Sequence, residues 1–128
     1  MSLRSPLRRV TYLGSAKGGS GHWFAQRVSA VALVLLGLWL VAALATMDGA
    51  SHANVVAWLS SPVAASFAVL LVLVAAWHAV LGLQVVIEHC VGAEGRGLAV
   101  LIVVEFVFAV AAVIGVLAVL RIAFGVAA

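Results

Sequence analysis

Charge is what this sequence has least of. Only 9% of its 128 residues are Asp, Glu, Lys or Arg, 66% are hydrophobic, and the mean hydropathy is +1.30. Soluble domains carry roughly 45–50% apolar residues, so that class is excluded and a small integral membrane protein is indicated. Cysteine is nearly absent as well: Cys90 stands alone, which excludes an internal disulfide and a thiolate cluster for iron–sulfur ligation. No apolar stretch directly follows Arg4, Arg8 and Arg9, which argues against a secretory signal. No repeat is present, and no basic run alternates with aromatics in the manner of a nucleic-acid site. The net charge of +3 is therefore assigned to topology and anionic headgroups, with the lipid membrane and not nucleic acid as partner.

Three apolar runs are present, at about 28–47, 63–87 and 98–120, each near the ~20 residues that cross a bilayer core. Backbone groups in hydrocarbon must bond within their own segment, so the expected fold is all-α with three transmembrane helices in one membrane-anchor domain, 1–128. Residues 1–27 read as a tail, flexible where Gly18, Gly19 and Gly21 cluster with serine. Asp48-Gly49 closes the first helix, Ser60-Ser61-Pro62 opens the second with a capping serine, and Gly92 to Gly97 separates the second from the third. Arg4, Arg8, Arg9, Lys17 and Arg27 precede the first helix, and the loop from Asp48 to Ser61 has no Lys or Arg. The positive-inside rule then puts the N-terminus inside, the C-terminus outside and Cys90 on the reducing side.

His78 stands deep within the second run, in the stretch AAWHAVLGLQVVIEHC. An imidazole in hydrocarbon loses its water and must find a partner. It could bond to another helix, or it could ligate haem b, for which neutral imidazole is a usual axial ligand. Gly82, four residues on, lies on the same helical face and leaves clearance for a flat group. One histidine cannot fill both axial positions, so a bis-histidine haem requires a partner chain. His89 shares the face about 16 Å away, which leaves a stand-alone di-haem cytochrome b protein as an alternative.

Further polar groups gather at the expected inner surface: His22, Trp23, Gln26, Arg27 and Ser29 from helix one, and Glu88, His89 and Cys90 from helix two. Arginine and histidine beside an apolar pocket can donate to quinone carbonyls or haem propionates. Equally, Arg27 can snorkel to headgroups and Trp23 can sit in an interfacial aromatic belt. Glu105, in helix three, reads either as a proton relay or as a hydrogen bond across the bundle. Asp48 and His52 read as solvated loop residues and Trp58 as an interfacial anchor. Gly115, Ala109 and Ala112 read as helix-packing positions.

Taken in order, Ser5-Pro6-Leu7, Leu13-Gly14-Ser15-Ala16-Lys17, His22-Trp23, Gln26-Arg27 and the run HAVLGLQVVIE from His78 to Glu88 resemble the family of succinate dehydrogenase hydrophobic membrane anchors, the smaller of the two anchors, in its alphaproteobacterial form. The resemblance covers roughly half the chain; helix three adds only hydropathy. It implies a multi-pass subunit of succinate:quinone oxidoreductase (respiratory complex II) in the bacterial inner membrane. Such an anchor would pair with a cytochrome b556 anchor subunit and dock an iron–sulfur subunit and a flavoprotein subunit. It implies His78 as axial ligand of a haem b shared with the partner anchor, and His22 and Arg27 near the haem propionates. It also implies a ubiquinone site beside Arg27. Where the family pattern continues with Asp-Tyr, this chain has His89 and Cys90, and its sole tyrosine, Tyr12, lies in the tail. A thiol is a weak donor, so Cys90 is a poor replacement for the phenol; His89 could donate instead, or the iron–sulfur subunit could provide the whole contact.

The expected function is thus a membrane anchor and electron-transfer subunit that carries no succinate-oxidising centre, since it has neither flavin motif nor cysteine cluster. A non-redox membrane assembly factor with a structural histidine is the other alternative.

Overall fold

The computed structural model describes residues 16–49, 51–90 and 95–125. Among these, every regular element is helical: α1 (Ala16–Ala45), α2 (His52–Leu59), α3 (Pro62–Cys90) and α4 (Gly95–Ala123). Three stretches are long and apolar enough to cross a membrane, Ser20–Ala45, Pro62–Cys90 and Arg96–Ala123. The chain is a three-span, all-α protein, as hydropathy indicates.

Each long helix outruns its apolar core. The 30 residues of α1 measure about 45 Å, against a hydrocarbon thickness of about 30 Å. The surplus lies at its start, where residues 16–27, which read from composition as tail, are helical. Glycine costs about 1 kcal/mol per helical position, but extending a formed helix adds one hydrogen bond per residue, so a short Gly/Ser stretch does not stop it. The motifs at residues 5–15 and the Gly92–Glu94 connection lie outside the described residues.

The connection between α1 and α3, which reads as loop, contains the short helix α2. Gly49 turns the chain out of α1 with φ +84°, a left-handed conformation that glycine adopts without strain. Ser51 Oγ then accepts from Asn54 N at 3.2 Å as the α2 N-cap, and Asn54 Nδ2 donates to the carbonyls of Asp48 (2.9 Å) and Gly49 (3.0 Å). Asp48 and His52 are both exposed. Trp58, expected as an interfacial anchor, packs against other rings of the chain: its ring centroid lies 5.3 Å from that of Trp39, which in turn lies 5.0 Å from Phe67. That aromatic group fastens α2 to α1 and α3. The capping serine of α3 is Ser61, whose Oγ accepts from Ala64 N at 3.2 Å, with Pro62 in the first turn.

Helix α3 is the centre of the arrangement. It packs against α1 on one side and α4 on the other, and among the described residues no Cα of α1 comes within 8 Å of one in α4. The contacts Gln26–His78 and Trp39–Phe67 run in opposite chain directions, so α1 and α3 are antiparallel. The buried apolar positions are Leu36 on α1 and Ala64, Ala65, Leu81 and Ile87 on α3. Large side chains such as Leu38, Trp77 and Phe106 face outward, which in lipid carries no hydrophobic penalty.

Candidate functional site

The site grows from a polar strip on α1. His22, Gln26 and Ser29 follow a spacing of four and three, so they share the helical stripe that meets α3. Ser29 is the only buried polar residue among the described ones, at 7% exposure. Its hydroxyl donates to the carbonyl of Gln26 at 3.1 Å, the turn-wise bond a helical serine makes when it has no water. Having one proton, Ser29 Oγ can then only accept from His78 Nδ1, 2.9 Å away.

The other imidazole nitrogen has a matching neighbour. Gln26 Nε2, an amide donor, stands 3.4 Å from His78 Nε2. Both neighbours therefore favour one tautomer, with the proton on Nδ1 and the lone pair on Nε2. This is the form in which a histidine ligates a metal through Nε2 while its second N–H is held by an acceptor.

Two buried polar atoms beside this arrangement have no hydrogen-bond partner, Gln26 Oε1 and His22 Nε2. Buried polar groups are nearly always paired, so both atoms mark a place where a further polar group fits. Gly82 faces this side too: a Cβ built there would lie 3.6 Å from Gln26 Nε2, so the space cleared by the glycine borders the Gln26 amide.

The structure separates the remaining residues. Arg27 is exposed, with its guanidinium 5.5 Å from the centroid of the Trp23 ring. His89 and Cys90 are exposed in the last turn of α3, and Cys90 is a free thiol. In the antiparallel register Arg27 lies level with about His78, so His89 is roughly 16 Å further along the bundle. Glu88 accepts from Gln84 Nε2 at 3.0 Å within its own helix.

Glu105 lies on the opposite side of α3, lining a groove with Leu73, Trp77, Val80 and Phe108. It is exposed and makes no hydrogen bond among the described residues, so it does not bridge the helices of this chain.

The direct contact of Gln26 and Ser29 with His78 is what sequence reading misses, since it groups both residues at the inner surface and not level with the histidine. A signal for it exists: two polar residues three apart on the face of an apolar helix that must pack against another.

Haem b, implied by the resemblance, can be tested against these residues. Among the described residues no three His, Cys, Asp or Glu side chains converge on one point, so these residues do not by themselves build a metal site of three or more such ligands. His78 fits the role of a ligand, being half-buried with Ser29 Oγ 2.9 Å from its Nδ1, a placement that favours the lone pair on Nε2. The Gln26 amide must turn aside for Nε2 to ligate.

Comparison with known proteins agrees with the architecture. Residues 1–118 match the model of the succinate dehydrogenase/fumarate reductase transmembrane subunit family. The succinate dehydrogenase hydrophobic membrane anchor subunit of Rickettsia bellii is 40% identical over 87 residues, covering 66% of this chain and 68% of that protein. The corresponding subunit of Rickettsia conorii is 37% identical over 76 residues, 59% of this chain and 60% of that protein. That of Rickettsia typhi is 30% identical over 92 residues, 71% of this chain and 73% of that protein. No solved structure matches the chain significantly. With three apolar spans, and with the family model matching nearly its whole length, the chain belongs to the succinate dehydrogenase/fumarate reductase transmembrane subunit family, as a succinate dehydrogenase membrane anchor.

Proposed function

We propose that this chain anchors a succinate:quinone oxidoreductase in the bacterial inner membrane and supplies one axial ligand, His78 Nε2, to a haem b. A partner cytochrome b556 anchor subunit supplies the other ligand. The N-terminus faces inside, where the iron–sulfur and flavoprotein subunits dock, and the C-terminus faces outside. The observation that carries this reading is the placement of Ser29 Oγ at His78 Nδ1 and of the Gln26 amide at His78 Nε2, which favours the tautomer with its lone pair on Nε2.

Haem b, when bound, supplies one-electron redox chemistry within the membrane. The residues of this chain act around it. His78 ligates, and Gly82 leaves room beside the ligand. His22, with an unpartnered buried Nε2, and Arg27, less than two turns away on the same helix, serve the propionates. Arg27 also donates to a ubiquinone carbonyl. His89, and more weakly Cys90, stand at the end of α3 where a phenol is expected, and His89 donates to the quinone there.

Purification of the complex from membranes tests the reading. Flavoprotein and iron–sulfur subunits are expected to copurify with one low-spin haem b per pair of anchor subunits. His78→Ala is expected to abolish the bis-histidine haem signal; an unchanged signal would overturn the axial assignment. Separately, His89→Ala is expected to raise the KM for ubiquinone and weaken quinone-site inhibitors. Unchanged values would remove His89 from the quinone site.

A further inference from the structure

We infer that Ser29 is a positioning residue for the metal-binding histidine, setting both which nitrogen of His78 ligates and how strongly it does so. The inference rests on the reading of His78 as a haem ligand and extends it to a residue with no direct contact with iron.

Burial is the first condition. Ser29 is 7% exposed, so little solvent competes for its hydroxyl or for His78 Nδ1. The hydroxyl donates to the Gln26 carbonyl at 3.1 Å, and this bond orients its lone pairs toward His78, 2.9 Å away. An imidazole that donates to a polarised acceptor gains electron density on its other nitrogen. The carbonyl–hydroxyl–imidazole chain is cooperative, because each bond polarises the next. A more electron-rich Nε2 is a stronger donor to iron and favours the ferric state. The same bond fixes the ring plane against rotation about χ2, which would otherwise be broad.

Without the Ser29 acceptor, the imidazole would lose the bond that keeps its proton on Nδ1. The proton could then move to Nε2, where the Gln26 carboxamide can offer its oxygen, now unpartnered, after a flip of the amide. That tautomer cannot ligate through Nε2. Ser29 therefore holds the ring in the competent form, and Gln26 is the group that contests it.

The test uses the intact membrane complex with three substitutions at one position. Ser29→Ala removes the acceptor, Ser29→Thr keeps it, and Ser29→Cys keeps a weaker one. Ser29→Ala is expected to raise the haem midpoint potential, alter the low-spin ferric EPR g-values and weaken haem retention roughly 10–100-fold. Ser29→Thr should restore all three, with Ser29→Cys between them. A potential, EPR spectrum and retention unchanged in Ser29→Ala would overturn the inference. So would a Ser29→Thr protein as perturbed as Ser29→Ala, since that would assign the effect to packing. His78→Ala separates the positioning role from the axial reading. Loss of the haem signal there, with Ser29→Ala silent, sinks only the positioning role; an unchanged signal there sinks the axial reading itself.

Discussion

Helix α3 has two seams, and they differ in what they bring together. Toward α1 it presents His78 to the buried Ser29 and to Gln26, a contact made by polar groups matched as donor and acceptor. Toward α4 it presents Val72 to Gly115, so closely that a Cβ on the glycine would sit 2.9 Å from Val72 Cγ1. The first seam favours one tautomer of the imidazole. The second holds helices together by close approach, which matters in lipid because the hydrophobic effect does not drive helix association there. Polar pairing specifies chemistry, and small residues supply adhesion.

Substitutions that damage one seam and spare the other test that contrast. The largest expected effect is from His78→Ala, which should remove the haem absorption while leaving the α3–α4 contact intact, as judged by the denaturant midpoint of the detergent-solubilised chain. Next comes Gly115→Ala on the adhesive seam. Overpacking against β-branched Val72 is expected to destabilise by roughly 1–3 kcal/mol, with the haem spectrum unchanged and much of the loss recovered in the Gly115→Ala, Val72→Ala double variant.

Gly82→Ala discriminates more finely. Its new methyl meets Gln26 Nε2 at an ordinary 3.6 Å, so unfolding of the chain should change by no more than about 0.5 kcal/mol. A fall in haem content at unchanged stability, measured by pyridine haemochrome assay, is expected if the glycine clears space for the macrocycle. The smallest effect is expected from Glu105→Gln, which lies across α3 from the imidazole. It should leave the haem spectrum and midpoint potential unchanged, and a shift in either would show that the two seams communicate.

The three spans are legible in the sequence because hydropathy and the length of a bilayer crossing are properties of local sequence. His78 is legible for a similar reason, as an ionisable group isolated in an apolar run. The helical character of residues 16–27 is hidden by composition, since glycine and serine report flexibility in water and not at the end of a helix already formed. The α2 helix is hidden because eight residues carry too little periodicity to be distinguished from loop. The partners of His78 are hidden for a third reason: Gln26 and Ser29 reach it across 52 and 49 residues, through a register that only packing determines. The family motif brings His78, Arg27 and Gly82 into view, and packing supplies the hydrogen bonds around the imidazole.

The gap between α1 and α4 has a thermodynamic consequence. Since these helices do not approach each other among the described residues, any energetic dependence of one on the other must pass through α3 or through the small helix α2. Distant sites without shared partners lose stability independently. Damage at Ser29 and at Gly115 should therefore sum, and the anchor is expected to tolerate loss of its adhesive contact without disturbing the hydrogen bonds of His78. Evolution could then adjust the grip of α4 and the hydrogen bonding of His78 as separate traits.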